Sequence, residues 1–366
     1  METSYAECYE ETKYYGVPLP DFLIAKVLGE KIYSSFPKNH THFYDWLINK
    51  TYEQKIDEYI KNEELKKLLQ VIMSYTGTEK EETPACNALW IMGGYYLHPG
   101  FFPKGGAQNL ANALKGYIEN NNGLCLLNNK VDSIVVENGA AVGVTVNGNA
   151  YKSSVIVSNV NARTTFLDLV GENNLNPEYI DYIKSLKMSP SSFIVYLGVD
   201  LDLSDYKATI INDVDDYGGG IVLNSNADPS LAPKGQSSLM LIGLAEYEDF
   251  PDRGTREYEE KKKEYTERII RKAEKAIPNL SKHIIVQDAA TPKTSERYIN
   301  MPEGAKFSFK PSMGVKLPYF KSPIKGLYLA GASTFPGGGI EAVVISGIIA
   351  FHDITGWKNR REIGKP

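Results

Sequence analysis

The chain has 366 residues, enough for one large domain or two interleaved ones. Hydrophobic residues make up 42% and charged residues 23%, and the net charge is −5 with no basic tail or block, which argues against nucleic acid as a partner. Cys8, Cys86 and Cys125 are widely separated and the five histidines are scattered, so neither a disulfide framework nor a metal site is expected.

The start, METSYAECYEETKYYG, has no basic region followed by an apolar one, so a secretory leader is not expected. No stretch reaches the ~18 apolar residues of a membrane span. With the cysteine pattern, these features point to a reducing, cytoplasmic location. Residues 1–90 read as mostly helical and polar, with apolar residues at helical spacing over 21–28 and 56–73. In the second, Ile56, Tyr59, Ile60, Leu65, Leu68, Leu69 and Ile72 make a stripe. Asp57, Lys61, Glu63, Glu64, Lys66 and Lys67 make the solvated face. Tyr33, Phe36, Phe43, Tyr44 and Trp46 suit either an apolar channel or ordinary core.

In IMGGYYLHPGFFPKGGAQNLANALKG, residues 91–116, Pro103, Gly105 and Gly106 mark a turn and a helix begins at Ala107. Lys104 is either a solvent-facing turn lysine or a positive charge beside a ligand. His98 lies next to Pro99 in a loop, and Tyr95, Tyr96 and His98 are candidates for substrate contact. Residues 124–160 alternate short apolar runs with turns at Asn138-Gly139 and Asn147-Gly148, the signature of a β-meander. A strand is expected to run into Val131, and VIVSN to return the chain to a main sheet.

Residues 165–305 read as a second domain. Strands are expected over 193–201, 238–246 and 283–291. A charged helix over 255–276 ends before Pro278, with its three lysines at 261–263 balanced by glutamates. Residues 310–326 link back. Then LYLAGASTFPGGGIEAVVISGIIAF, residues 327–351, reads as a covered strand, a glycine-rich turn and a helix apolar almost all round, hence buried. Gly347 within it costs about 1 kcal/mol against alanine, which a close neighbour would explain. The free N–H groups of Gly339, Ile340, Glu341 and Ala342 suit an anion; the plainer reading is a helix start after a flexible turn.

GASTFPGGGIEAVVISG, FPKGGAQNLANAL, the meander and DAATPKTSERYINMPEG together resemble the phytoene desaturase, carotenoid isomerase and retinol saturase group of flavoproteins, within the amine-oxidase-like FAD superfamily. The resemblance runs from about residue 50 to the end. It implies a mixed α/β fold, in which an incomplete Rossmann-like FAD/NAD(P)-binding domain (91–164 and 306–366) is interleaved with a substrate domain of mixed sheet and helices (1–90 and 165–305). It implies FAD as cofactor, held by Gly105, Gly106, Val131, Gly331, Pro336, Gly337, Gly338, Gly339, Ile340, Glu341 and Ala342, with Lys104 beside the ring. Val131 would back the adenine, and Asn159 would sit where the chain leaves its strand near the cofactor. Thr291, Pro292, Thr294 and Arg297 would mark the return from the substrate domain, Arg297 holding the loop or touching substrate. The implied reaction is desaturation, saturation or isomerisation of an apolar polyene, with peripheral membrane contact because polyenes reside in lipid. No Ser/His/Asp or Cys/His arrangement suggests nucleophilic catalysis.

The resemblance stops at the start. The group opens with a strand, G-x-G-x-x-G, a helix and an acidic residue, and no such unit is found in this sequence. FAD binding by this chain alone is therefore not expected, and a separate chain supplying the nucleotide-binding unit is an expected partner. The sequence is equally open to a fragment of a longer protein, a split subunit or a non-catalytic remnant. An amine-oxidase-like enzyme acting on a polar amine remains the alternative chemistry.

Overall fold

The computed structural model describes residues 50–85, 87, 88, 91, 100–213 and 219–356. The expected helix over 21–28, the aromatic set at 33–46, and Tyr95, Tyr96 and His98 lie outside the described residues. In chain order come α1 (Tyr52–Tyr59), α2 (Glu63–Gln70) and α3 (Ala107–Asn120). Next are β1 (Val131–Glu137), β2 (Ala140–Val146), β3 (Asn149–Lys152) and β4 (Ile156–Ser158). A π-helical segment, Thr164–Gly171, and α4 (Pro177–Ser185) lead into β5 (Ser191–Val199), β6 (Thr209–Asp213), β7 (Gly219–Leu223) and β8 (Ser237–Ala245). Then come α5 (Arg256–Ala273), β9 (Ile284–Ala290), α6 (Pro292–Ile299), β10 (Leu327–Leu329) and α7 (Ile340–Thr355).

The architecture is mixed α and β, in two compact units. The first holds the described residues up to Leu126 together with Pro190–Ile299 and Ser312–Gly314. Its centre is a five-stranded antiparallel sheet in the order β6-β7-β8-β5-β9. Strict alternation along β5 buries Phe193, Val195, Leu197 and Val199 on one face. Against that face lies α5, whose Tyr258, Tyr265, Ile269, Ile270 and Ala273 complete the core. α5 starts cleanly because Thr255 caps it, accepting from Tyr258 N–H at 3.2 Å, and its acidic first turn and basic last turn match the helix dipole. The opposite face carries an apolar strip: Tyr196 pairs with Met240 and Ile194 with Ile242 across β5 and β8, and Leu244 lies on the same face, with Asp288 of β9 opposite Tyr196. Tyr196 and Leu244 remain exposed.

The second unit comprises Leu127–Ser189, Asn300–Pro311 and the described residues from Val315 on. Here β1, β2 and β3 form the expected meander, with Asn138-Gly139 (φ 51° and 75°) and Asn147-Gly148 (φ 49° and 78°) in the left-handed conformations that such two-residue hairpins need. β4 and β10 pair in parallel, Leu327 with Ile156 and Leu329 with Ser158, so VIVSN does return to a sheet with the C-terminal strand. Phe166, Val170 and Ile183 pack into one core with Ile134, Leu327 and Leu329, which is why residues 164–185 belong to this unit.

Several local expectations need correction. The stripe over 56–73 is not one helix: Ile60 turns to extended backbone and Asn62 caps α2, accepting from Leu65 N–H at 2.8 Å, so a competing side-chain bond ends α1. Tyr59, Leu65 and Leu68 are exposed, while Ile56 packs with Tyr52 and Met73. No strand runs into Val131 from the apolar residues 124–127; Asn128 takes a left-handed φ of 59° and breaks the extension. α7 is not buried all round. Only Ser346 and Ala350 are enclosed, because the parallel sheet beside it has just two strands among the described residues. Nothing lies within 4 Å of a Cβ built on Gly347, so no neighbour in the described chain accounts for that glycine. Strands β6 and β7 were not foreseen.

Candidate cofactor site

The loop between β10 and α7 is built around glycines that other residues could not replace. Gly331 is buried at φ +98°, and a Cβ there would collide with Asn159 Oδ1. Its N–H donates to Ser346 Oγ at 2.7 Å, which anchors the loop's start to the buried side of α7. Gly337 and Gly339 sit at φ +115° and +108°. A Cβ on Gly338 would come within 2.8 Å of Phe307 Cβ and 3.0 Å of Phe307 Cα, so loop and segment 307–308 touch backbone to backbone.

α7 then begins without a side-chain cap, its first helical bond running from Val343 N–H to Gly339 O at 2.9 Å. The amides of Ile340, Glu341 and Ala342 therefore have no intrahelical acceptor. Gly339, Ile340 and Glu341 are exposed in this unit, whereas Gly337 is buried. Such a start can hold a negative charge or the oxygen of a polar ring.

Behind the loop runs a buried polar chain that sequence reasoning missed. Asn161 Nδ2 donates to Ser308 Oγ at 2.9 Å, Ser308 and Ser333 hydroxyls share a bond at 2.8 Å, and Ala162 N–H donates to Ser333 Oγ at 3.1 Å. Asn161, Ser308 and Ser333 are all buried, and Ser308 holds a left-handed φ of 67°. The chain thus ties three segments, 159–163, 307–309 and 331–339, into one platform. Serines and asparagines in loops give no sequence signal of this kind, since the partners are 147 and 25 residues apart. Thr334, also in the loop, is fully enclosed with an Oγ1 that has no hydrogen-bond partner among the described residues. Lys306 adjoins the contact, its Nζ 5.3 Å from the Phe307 ring centroid, and burial pulls its ammonium below the usual lysine range. The glycine cradle, the uncapped amides and the enclosed polar platform fit a flat group carrying negative charge.

Of the other expected residues, Val131 opens β1 opposite Val146 in this unit. Lys104, Gly105 and Gly106 belong to the first unit. There the turn is fixed by a carboxylate: Gly105 N–H donates to Asp228 Oδ2 at 2.5 Å, and Gly106 N–H to Pro103 O at 2.9 Å, before α3 starts at Ala107 as expected. Lys104 is exposed. Thr291 is buried and shares a bond with Tyr258 Oη at 3.1 Å, while Arg297 is exposed and lies 5.6 Å from the ring centroid of Tyr298. Among the described residues, no group of three or more His, Cys, Asp or Glu is placed to hold a metal.

The Asp228 anchor gives a pH prediction. The Gly105 amide, then Ser230, holds this carboxyl below its usual value. A depressed folded pKa contributes stability above the unfolded value of about 3.9, and that contribution is lost as pH falls through the folded one. The NMR shift of the Gly105 amide should stay constant from neutral pH down to about pH 4 and move to an unbonded value below it. In Asp228→Ala it should sit at that unbonded value throughout.

Comparison with known proteins gives a consistent picture. The flavin containing amine oxidoreductase family matches residues 16–354. A chloroplastic prolycopene isomerase from Daucus carota is 31% identical over 297 residues, spanning 75% of this chain and 47% of its own length. A 4,4'-diaponeurosporene oxygenase from Staphylococcus aureus (strain MW2) is 26% identical, spanning 85% of this chain and 65% of its own. Among solved structures, an oxidoreductase from Methanosarcina mazei superimposes with a TM-score of 0.65 at 19% identity, covering 83% of this chain and 68% of that one. Putrescine oxidase bound to putrescine gives 0.63 at 12% identity, covering 97% and 76%. At such identities the structures speak for the fold alone. The chain spans about half the length of the plant relatives, 47% to 54%.

Proposed function

Because the chain belongs to the flavin containing amine oxidoreductase family, we propose that it forms part of an FAD-dependent enzyme acting on the carbon–carbon bonds of a polyene. FAD is the cofactor this membership assigns, and when bound it supplies the hydride exchange that desaturates, saturates or isomerises such a substrate. This chain's residues do the rest. The amides of Ile340, Glu341 and Ala342 hold negative charge at the cofactor, Gly337–Gly339 admit it closely, and the Asn161–Ser308–Ser333 platform keeps that loop in place. The single observation that carries the substrate class is the sheet of the first unit. Its face away from α5 presents an apolar strip of Ile194, Tyr196, Met240, Ile242 and Leu244, with Asp288 of β9 beside Tyr196 at one side. Burial and the charge of Asp288 both push that Tyr196 phenol up, so it stays neutral.

The nucleotide-binding strand–turn–helix is supplied from outside the matched sequence, as the share of the relatives' length left uncovered suggests. The substrate's solubility places the reaction at a lipid surface; no helix among the described residues is long and apolar enough to cross a membrane. The five large side chains of the apolar strip favour a polyene over a polar amine. The test is to purify the chain with and without the N-terminal part of a prolycopene isomerase relative and add FAD. The assembled protein should absorb near ~450 nm, a property of the oxidised cofactor, and bleach on anaerobic reduction. It should also hold a carotenoid whose visible band shifts on binding, and lose that shift in Ile242→Asp. Colourless protein in both preparations rejects the reading.

A further inference from the structure

We infer that Tyr196 and Asp288 together recognise a hydroxyl at the end of the substrate, which is then a long apolar chain ending in an alcohol; the inference rests on the proposed function for the apolar body of that ligand. Strand register places the two residues. Val222 of β7 pairs with Met240 of β8, Met240 with Tyr196 of β5, and Tyr196 with Asp288 of β9. Directly paired residues put their side chains on one face, so one row runs Val222, Met240, Tyr196, Asp288. At a spacing of ~4.8 Å between strands it is about 14 Å long. The neighbouring row, Gly220, Ile242, Ile194 and Ala290, carries no polar side chain. On the other side of Asp288, Val286 lies opposite Gly198. A carboxylate therefore ends an apolar track at the edge strand, with a phenol one place inside it.

The hydrogen bonds already made leave these two groups with matched capacities. Asp288 Oδ1 accepts from Ala289 N–H at 2.7 Å and from Lys262 Nζ at 3.4 Å. Asp288 Oδ2 has no hydrogen-bond partner among the described residues, and neither has Tyr196 Oη. Burial, then the charge of Asp288, pushes the phenol up, so it stays a donor at neutral pH. What remains is one O–H donor beside one carboxylate acceptor. A hydroxyl is the small group that uses both: its oxygen accepts from Tyr196 Oη and its proton goes to Asp288 Oδ2. A carbonyl or ether only accepts and leaves the carboxylate unused. A carboxylate is repelled by Asp288. An ammonium only donates, so the phenol proton goes unanswered, and Lys262 already offsets the attraction it would feel. A hydrocarbon end strips water from both groups and returns no hydrogen bond, which is how polar sites reject such analogues. Both side chains are exposed, so the discrimination is that of an ordinary hydrogen bond rather than of a sealed pocket.

The full chain, alone and in the assembled protein, is titrated with four probes of one carbon skeleton: a polyene alcohol, its methyl ether, the hydrocarbon and the primary amine. Binding is read from the shift of the polyene absorption band. The wild type should hold the alcohol about tenfold more tightly than the other three. Tyr196→Phe keeps the ring and the strip, and Asp288→Ala removes only the acceptor. Each should lower the alcohol's affinity several-fold, and the double variant should erase the preference, with hydrocarbon affinity not reduced and the melting curve of the chain unchanged. Lys262→Met, which removes the ion pair alone, should keep the preference. Equal binding of all four probes by the wild type, an amine held more tightly than the alcohol, or a preference untouched in the double variant would each overturn the inference. Hydrocarbon and alcohol bound equally, and both lost in Ile242→Asp, leave the proposed function standing without it. An alcohol preference that depends on Tyr196, in an assembled protein that takes up no flavin, does the reverse. No binding of any probe rejects both.

Discussion

Gly338→Ala is expected to destabilise the second unit by about 2–3 kcal/mol, the usual cost of forcing a methyl into a packed site. The methyl would meet Phe307 Cβ and Cδ1 at 2.8 Å and Phe307 Cα at 3.0 Å. A side-chain tip can swing aside, but a Cα cannot, so the loop must lift away from segment 307–308. That strains the bond between Ser308 and Ser333 and with it the placement of the α7 start. Urea unfolding should show the midpoint falling with an unchanged slope. In the assembled protein the same variant should lose FAD affinity by more than the stability change accounts for, because the amides of Ile340–Ala342 move with the loop. Gly347→Ala is the matched control: with nothing within 4 Å of its Cβ, it should leave the chain's stability unchanged or slightly raised.

Phe193→Ala should cost about 3–5 kcal/mol in the first unit. Phe193 is fully buried and stacks on Phe250 at 5.8 Å and Tyr265 at 5.4 Å between ring centroids. Its loss opens a cavity between the sheet and α5. Hydrogen exchange resolved by segment should show β5, β8 and α5 losing protection together. Equal protection in the variant would mean that the α5 face is not the core of this unit, and the opposite, apolar face would then lose its standing as an exposed wall.

Much of this was legible in the sequence for a clear reason: local rules wrote it. The Asn-Gly pairs dictate hairpins by their left-handed preference, and the α5 pattern carries its own cap, charge gradient and terminating proline. The Gly105-Gly106 turn and the start of α3 follow from the same logic. What was not legible depends on tertiary partners. The break at Ile60 comes from one asparagine choosing to cap rather than continue a helix. The platform of Asn161, Ser308 and Ser333 joins residues far apart in sequence through ordinary hydroxyls. The burial of α7 was misread because an all-round apolar helix implies full cover, and the described residues fully enclose only Ser346 and Ala350. That mismatch between composition and exposure is a property of the described residues, since the row of Ile340, Val344, Ile348 and Phe351 lies open among them.

Cofactor binding by this chain turns on the start of α7. The most direct measurement is hydrogen exchange at the amides of Ile340, Glu341 and Ala342 in the assembled protein, with and without FAD. These amides lack an intrahelical acceptor and should exchange quickly without FAD and slow markedly when it binds. Flavin bound in full while all three amides exchange at the FAD-free rate would contradict the account.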